Sequence, residues 1–318
     1  MSHSHHNDPA FSQSRRQLLL GLGGISLLGL LNPSTLYALP HARQFKKIPS
    51  SGEKIPVIGM GSSRTFDVGN NAKKRAVLLK VLETFFEKGG GMIDSSPMYG
   101  SSEQVIGDLL KKIPEQNKKT LFAATKVWTE GKQAGIEQMQ LSMRRMGVKV
   151  FDLMQIHNLV DWKTHLATLK EWKAQKKVRY IGITTSHGRF HQQLIEILKT
   201  EPFDFVQLSY NIDNLEVERH LLPIAQEKGI AVIVNRPFQR GELFQKTKGK
   251  KLPAWASEFD CRSWGQYFLK FAVSHPAVTC AIPATRKMRH MIDNMAAGAG
   301  RLPDAKMRTK MRQYYQSL

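Results

Sequence analysis

From residue 43 onward, two spacings of apolar residues alternate along the chain. Short apolar runs appear at PVIGMG (56–61), GMIDS (91–95), LFAATKV (121–127), DLMQIH (152–157), VRYIGIT (178–184), FVQLSY (205–210), AVIVNRP (231–237) and VTCAIP (278–283). Between them, apolar residues recur at three- and four-residue spacing. The clearest such stretches are KKRAVLLKVLETFFEKG (73–89), SSEQVIGDLLKKI (101–113), KTHLATLKEWKAQKK (163–177), LEVERHLLPIAQEKG (215–229), RSWGQYFLKFAVSH (262–275) and RKMRHMIDNMAA (286–297). The first spacing predicts strands and the second amphipathic helices, several closing on Lys-Gly or Met-Gly, a usual helix C-cap. Eight β–α units in strict alternation imply parallel strands joined by crossover helices. Eight such units close a barrel, so the expected fold is a single-domain α/β (β/α)8 TIM barrel over residues 43–318. An open doubly wound sheet is the alternative, and GMGSSR (59–64) only partly matches the glycine-rich loop it would need. A connection from Arg236 to Cys261 is long enough to suggest a functional loop on the catalytic face of a barrel, its basic half (Lys248–Lys251) closing over a phosphate, with a solvated surface insertion as the other reading.

The formal net charge of +21 favours weak contact with anionic envelope surfaces, or simply a solubilising surface. No nucleic-acid module accompanies it, so no nucleic-acid partner is expected. The two cysteines, Cys261 and Cys280, make no disulfide framework, and no Cys/His ligand spacing points to a metal. Residues 1–42 read as a signal peptide and linker. Arg15 and Arg16 lead an apolar run, Leu18 to Leu31, too short for an ordinary membrane span and followed by small residues. SRRQLL resembles the twin-arginine export signal, which implies the twin-arginine machinery as partner, export in folded form and a periplasmic location. His41 to Lys47 reads as a basic linker.

Three neighbouring strands end in chemistry-bearing residues: Asp94, Lys126 and His157, with Tyr99 in the loop after Asp94. Strands lie about 4.8 Å apart, so these four fall within roughly 10 Å at one barrel mouth. A tyrosine has an ordinary pKa of about 10. A nearby ammonium is expected to lower it, and Asp94 to keep Lys126 charged and oriented. His157 can hold a substrate oxygen against Tyr99. Together they form a donor set for an oxygen that gains negative charge, as hydride delivery to a carbonyl produces.

IDSSPMYGSSEQVIG, ATKV and DLMQIHN resemble the signature segments of the aldo-keto reductases, and the likeness spans about Ile55 to Asn294. It implies a (β/α)8 barrel that reduces aldehydes and ketones with NADPH laid across its mouth, and a catalytic tetrad of Asp94, Tyr99, Lys126 and His157. It also assigns Gln207 to the nicotinamide amide and places Thr184 and Thr185 where the family has a Ser-Asn pair. Asn235 stands where the family stacks a tyrosine on the nicotinamide, and Arg236 beside it is within reach of a phosphate. IPATRKMRHMIDN resembles the adenosine-phosphate motif: Thr285 supplies a hydroxyl, Asp293 and Asn294 hold adenine, and His290 replaces a common arginine. Arg286, Lys287 and Arg289 around that helix start favour NADPH over NADH. Ser63 stands where many relatives carry a large aromatic, and Trp128 lines the substrate pocket or packs. The resemblance implies a monomeric oxidoreductase acting on a small carbonyl compound. The alternative is an exported nucleotide-binding or regulatory barrel with little turnover.

Overall fold

The computed structural model describes residues 42–186 and 188–318, so the expected leader lies outside the described residues. The chain enters as an antiparallel hairpin, β1 (Phe45–Lys47) and β2 (Lys54–Pro56). Eight parallel strands follow: β3 (Met60–Gly61), β4 (Met92–Asp94), β5 (Phe122–Val127), β6 (Phe151–His157), β7 (Val178–Thr184), β8 (Phe205–Ser209), β9 (Ala231–Asn235) and β10 (Val278–Ala281). Each pairs with its sequence neighbour, and a parallel bridge between Ile58 and Ala281 closes the ring. The barrel alternative is thus the observed one.

The outer layer is α1 (Ala72–Glu87), α2 (Ser102–Leu110), α3 (Lys132–Met146), α4 (Trp162–Ala174), α5 (His191–Thr200), α6 (Leu221–Glu227), a short α7 (Leu243–Lys246), α8 (Trp264–Val273), α9 (Met288–Ala297) and α10 (Ala305–Ser317). Local chemistry sets their ends. Asn71, Ser263 and Asp304 accept from the backbone N–H three residues on, capping α1, α8 and α10. Gly147 ends α3 in the left-handed conformation. A Cβ on Gly107 of α2 would lie 1.9 Å from the Arg145 carbonyl, so this glycine lets α2 and α3 pack closely.

Alternation along each strand sorts the two sides of the barrel wall. The outward row, including Ile93, Ala123, Met154, Val206, Val232 and Ala281, belongs to the main core under the helices. The inward row has a second, smaller core of Met92, Phe122, Leu153, Tyr180, Phe205, Ala231 and Cys280 at the floor. Two residues further along the same inward rows come Asp94, Gln155 and Gln207, and four further on from Phe122 comes Lys126. A period of two therefore carries the interior from an apolar floor to a polar mouth.

Three sequence expectations are corrected. The segment read as a basic linker forms β1, whose hairpin stoppers the floor with Ile48 and Ile55. Its exposed pattern hides a single lysine that makes the attachment. Lys46 Nζ donates to the carbonyls of Val273, His275 and Val278 at 2.8, 2.8 and 2.6 Å. The stretch 215–229 is not one helix but a 3-10 turn, Glu216–Glu218, followed by α6. Pro223 lacks an N–H and is tolerated only in a helix's first turn, so α6 starts at Leu221. The basic run Lys248–Lys251 does not line the barrel mouth. The latter half of that long connection is anchored outward instead, through Trp255 against Phe259, Tyr267 and Tyr314.

Replacing Lys46 with Met removes the donor shared by three carbonyls at the hairpin's seat. Thermal unfolding should show a loss of about 2 kcal/mol or more, the scale of charged hydrogen bonds.

Candidate active site

The tetrad positions converge at the C-terminal ends of β4 to β6. Lys126 is fully buried, and its Nζ donates to Asp94 Oδ2 at 2.6 Å and to the Ser95 carbonyl at 2.7 Å. Asp94 Oδ1 accepts from the side-chain amides of Gln155 (2.9 Å) and Gln207 (3.0 Å). The carboxylate is therefore held on both oxygens. Burial opposes the Lys126 ammonium, but Asp94 and Tyr99 outweigh it and hold its pKa above the ordinary lysine value.

Tyr99 is half-buried, with the Lys126 ammonium 5.4 Å from its ring centroid and the His157 ring edge-on at 5.9 Å between centroids. Burial pushes the phenol above its ordinary pKa; Lys126 pulls it down and Asp94 pushes it up. The expectation of a lowered value is thus corrected, because desolvation outweighs the ammonium. The phenol stays protonated at neutral pH and is ready to donate.

Ser96 was not anticipated. Its Oγ lies 3.0 Å from His157 Nδ1 and accepts from the Met98 N–H at 3.2 Å. With the Ser96 hydroxyl as donor, the ring proton belongs on Nε2. Gln155 was also missed. Both follow a visible parity: Ser96 stands two residues after Asp94, and Gln155 two before His157 on the same inward row.

From Asp94, Tyr99 and His157 a cleft of about 1030 Å³ runs to Thr285, His290, Asp293 and Asn294 on and before α9. Ser63, Thr184, Asn235 and Arg236 also line it. The remaining candidates lie off its surface. Thr185 is buried, with its N–H donating to the Gln207 carbonyl. The Gln207 amide is engaged with Asp94, and its oxygen accepts from Asn235 Nδ2 at 3.4 Å. Asn235 is further fixed by Ser209, whose hydroxyl donates to it at 2.6 Å. The Arg286 guanidinium reaches across to the carbonyls of Arg64 and Thr65. Thr285 Oγ1 accepts from the Lys287 N–H at 3.1 Å, and Lys287 begins α9. Asp293 is tied to the start of α8 by Ser263 (2.7 Å) and Gln266 (2.8 Å). Burial, then Arg289 and Lys287, hold His290 below the usual histidine pKa. Trp128 stands 40% exposed beside the cleft, its ring 6.4 Å from that of His157.

Among the described residues, two buried atoms on cleft-lining residues have no hydrogen-bond partner, Thr184 Oγ1 near the tetrad and Asn294 Nδ2 at the far end. Buried polar atoms are ordinarily satisfied. The two residues stand at opposite ends of the cleft wall.

The model of the Aldo/keto reductase family matches residues 57–310. The chain belongs to this family. It is an aldo-keto reductase, an oxidoreductase. The reductase is 27% identical over 261 residues to methylglyoxal reductase YeaE of Escherichia coli K12, covering 80% of this chain and 89% of the relative. It is 25% identical over 232 residues to the NADH-specific methylglyoxal reductase of the same organism, covering 62% and 69%. Among solved structures, the holo form of an aldo-keto reductase from Bacillus halodurans superposes with a TM-score of 0.70 at 20% identity, over 86% of this chain and 96% of that one. The aldo/keto reductase of Klebsiella pneumoniae in complex with NADP and acetate gives 0.69 at 20% identity, over 83% and 93%. These likenesses show the shared barrel.

Breaking the buried pair one side at a time tests its weight. Lys126→Met leaves the Asp94 charge unpaired, and urea unfolding should show a loss of about 3–5 kcal/mol. Adding Asp94→Asn, which can still accept from both glutamines, should recover much of that stability.

Proposed function

We propose that this reductase reduces aldehydes or ketones with NADPH, Tyr99 giving its phenolic proton to the carbonyl oxygen. The observation that carries the reading is Tyr99 in the cleft, against His157 and the buried Lys126–Asp94 pair. The cofactor supplies hydride to the carbonyl carbon. The protein supplies the rest. His157 Nε2–H orients the carbonyl oxygen toward Tyr99. As the phenol gives up its proton, the Lys126 ammonium stabilises the phenolate, and Asp94 keeps that ammonium in place.

The cleft suits an extended dinucleotide. It runs from Thr184 near the tetrad to Thr285 and Asn294 at its far end, long enough for two nucleotide halves. Lys287 and Arg289, beside His290 at the start of α9, favour the 2′-phosphate of NADPH. Relatives solved with NADP or NADPH support this choice, while the NADH-specific relative marks the alternative. The names of the two Escherichia coli relatives support a small aldehyde as substrate. Asn235, in the place of a stacking tyrosine, favours a second reading: a nucleotide-binding barrel with little turnover.

Fluorescence titration with NADPH and NADH, followed by a carbonyl panel, separates the two. Tyr99→Phe should cut turnover by about 10²–10⁴-fold while nucleotide binding holds. A protein that binds NADPH but turns over nothing on the panel would be the binding barrel. Because burial raises the Tyr99 pKa, reduction should hold steady through neutral pH and fall only at pH above about 10.

We also propose that the protein is exported folded by the twin-arginine route to the periplasm, carrying nucleotide loaded in the cytoplasm. Arg15 and Arg16 before the apolar run support it. Replacing both with Lys should leave the protein in the cytoplasmic fraction on cell fractionation. Unchanged periplasmic delivery would remove the proposal.

A further inference from the structure

Ser96 grips two members of the tetrad at once. Its backbone carbonyl accepts from the Tyr99 N–H at 3.0 Å, and its Oγ lies 3.0 Å from His157 Nδ1. Ser96 stands in the connection from β4 to α2, while His157 closes β6. β5 lies between those two strands, so the contact reaches across it. Both side chains are buried, Ser96 fully and His157 at 4% exposure.

A serine hydroxyl has one hydrogen to give and two lone pairs to share. The Met98 N–H takes one lone pair at 3.2 Å, a local turn in which serine holds the backbone two residues on. That contact shapes the loop carrying Tyr99 and leaves the hydroxyl hydrogen to be placed. Among the described residues, the acceptor it meets is His157 Nδ1. With the ring proton on Nδ1 instead, Oγ would accept twice and the hydroxyl hydrogen would be stranded inside the protein, where an unmet donor is costly. Nε2 would then carry a lone pair. A carbonyl oxygen is itself an acceptor, so the ring could no longer hold it. A serine that only closed the loop would need the Met98 contact alone.

We infer that Ser96 is a positioning residue for the reduction: its hydroxyl locks His157 in the Nε2–H form, and its carbonyl sets Tyr99 in register with that ring. The inference rests on the reductase reading and adds the group that keeps the orienting hydrogen in place. Ser96 acts through its two neighbours and needs no contact with substrate. The edge-on meeting of the Tyr99 and His157 rings, at 90° between planes, follows from one residue holding both.

The test uses the purified full chain labelled with ¹⁵N-histidine, near pH 8, above the ordinary histidine pKa of about 6.5. Nitrogen shifts separate a protonated ring nitrogen from a bare one, and His157→Gln identifies the His157 signals by their loss. Wild type should show a bare Nδ1 and a protonated Nε2. Ser96→Ala should move both signals toward a mixture of the two forms. It should also lower kcat by about tenfold, the scale of one hydrogen bond, while NADPH affinity holds. A wild-type proton on Nδ1 overturns the inference. So does Ser96→Ala with wild-type kcat. A variant that loses kcat with its His157 signals unchanged leaves Ser96 only the closing of the loop, and overturns it too. If no carbonyl is reduced by wild type, the reductase reading fails, and the spectra still decide whether Ser96 fixes the ring.

Discussion

The buried contact between Lys126 and Asp94 organises the mouth of the barrel. An ammonium with no exposed surface can keep its charge only beside an anion, and the buried Asp94 carboxylate needs donors on both oxygens. Gln155 and Gln207 complete that requirement, and Asn235 and Ser209 continue the chain of contacts to β9. Four strands, β4, β5, β6 and β8, are thus tied through one carboxylate, and β9 joins them through Gln207. Tyr99 and His157 take their positions against this fixed charge, so the chemistry at the mouth and the cohesion of the upper barrel share one source.

Much of this was visible in the chain. Eight strand ends in order, with acid, lysine and histidine on successive strands, are enough to foresee one mouth, because parallel strands all deliver their C-terminal residues to the same side. What escaped depends on three-dimensional context. The β1–β2 hairpin has too few buried residues to leave a periodic trace, and its attachment rests on Lys46, which looks like any surface lysine. Pro223 did signal the break before α6, but the apolar spacing around it hid the signal. The direction of the Tyr99 pKa depends on the balance between burial and a neighbouring charge, and only the fold sets the burial. Arg286 was placed from its helix-start position, yet its length carries the guanidinium across to the β3–α1 loop.

The long connection after β9 divides its labour. Arg236, Phe238, Arg240, Gly241 and Phe244 line the cleft, while its latter half is held on α8 and α10 by Trp255 against Tyr267 and Tyr314. A loop clamped at its far end positions its near end without needing a rigid backbone there. This allows several left-handed residues in succession at the cleft edge.

The hairpin beneath the barrel also governs traffic. With Ile48 and Ile55 seated in the floor and Lys46 tethering them, the interior is a blind-ended vessel. Whatever arrives beside Tyr99 must depart by the mouth through which it entered.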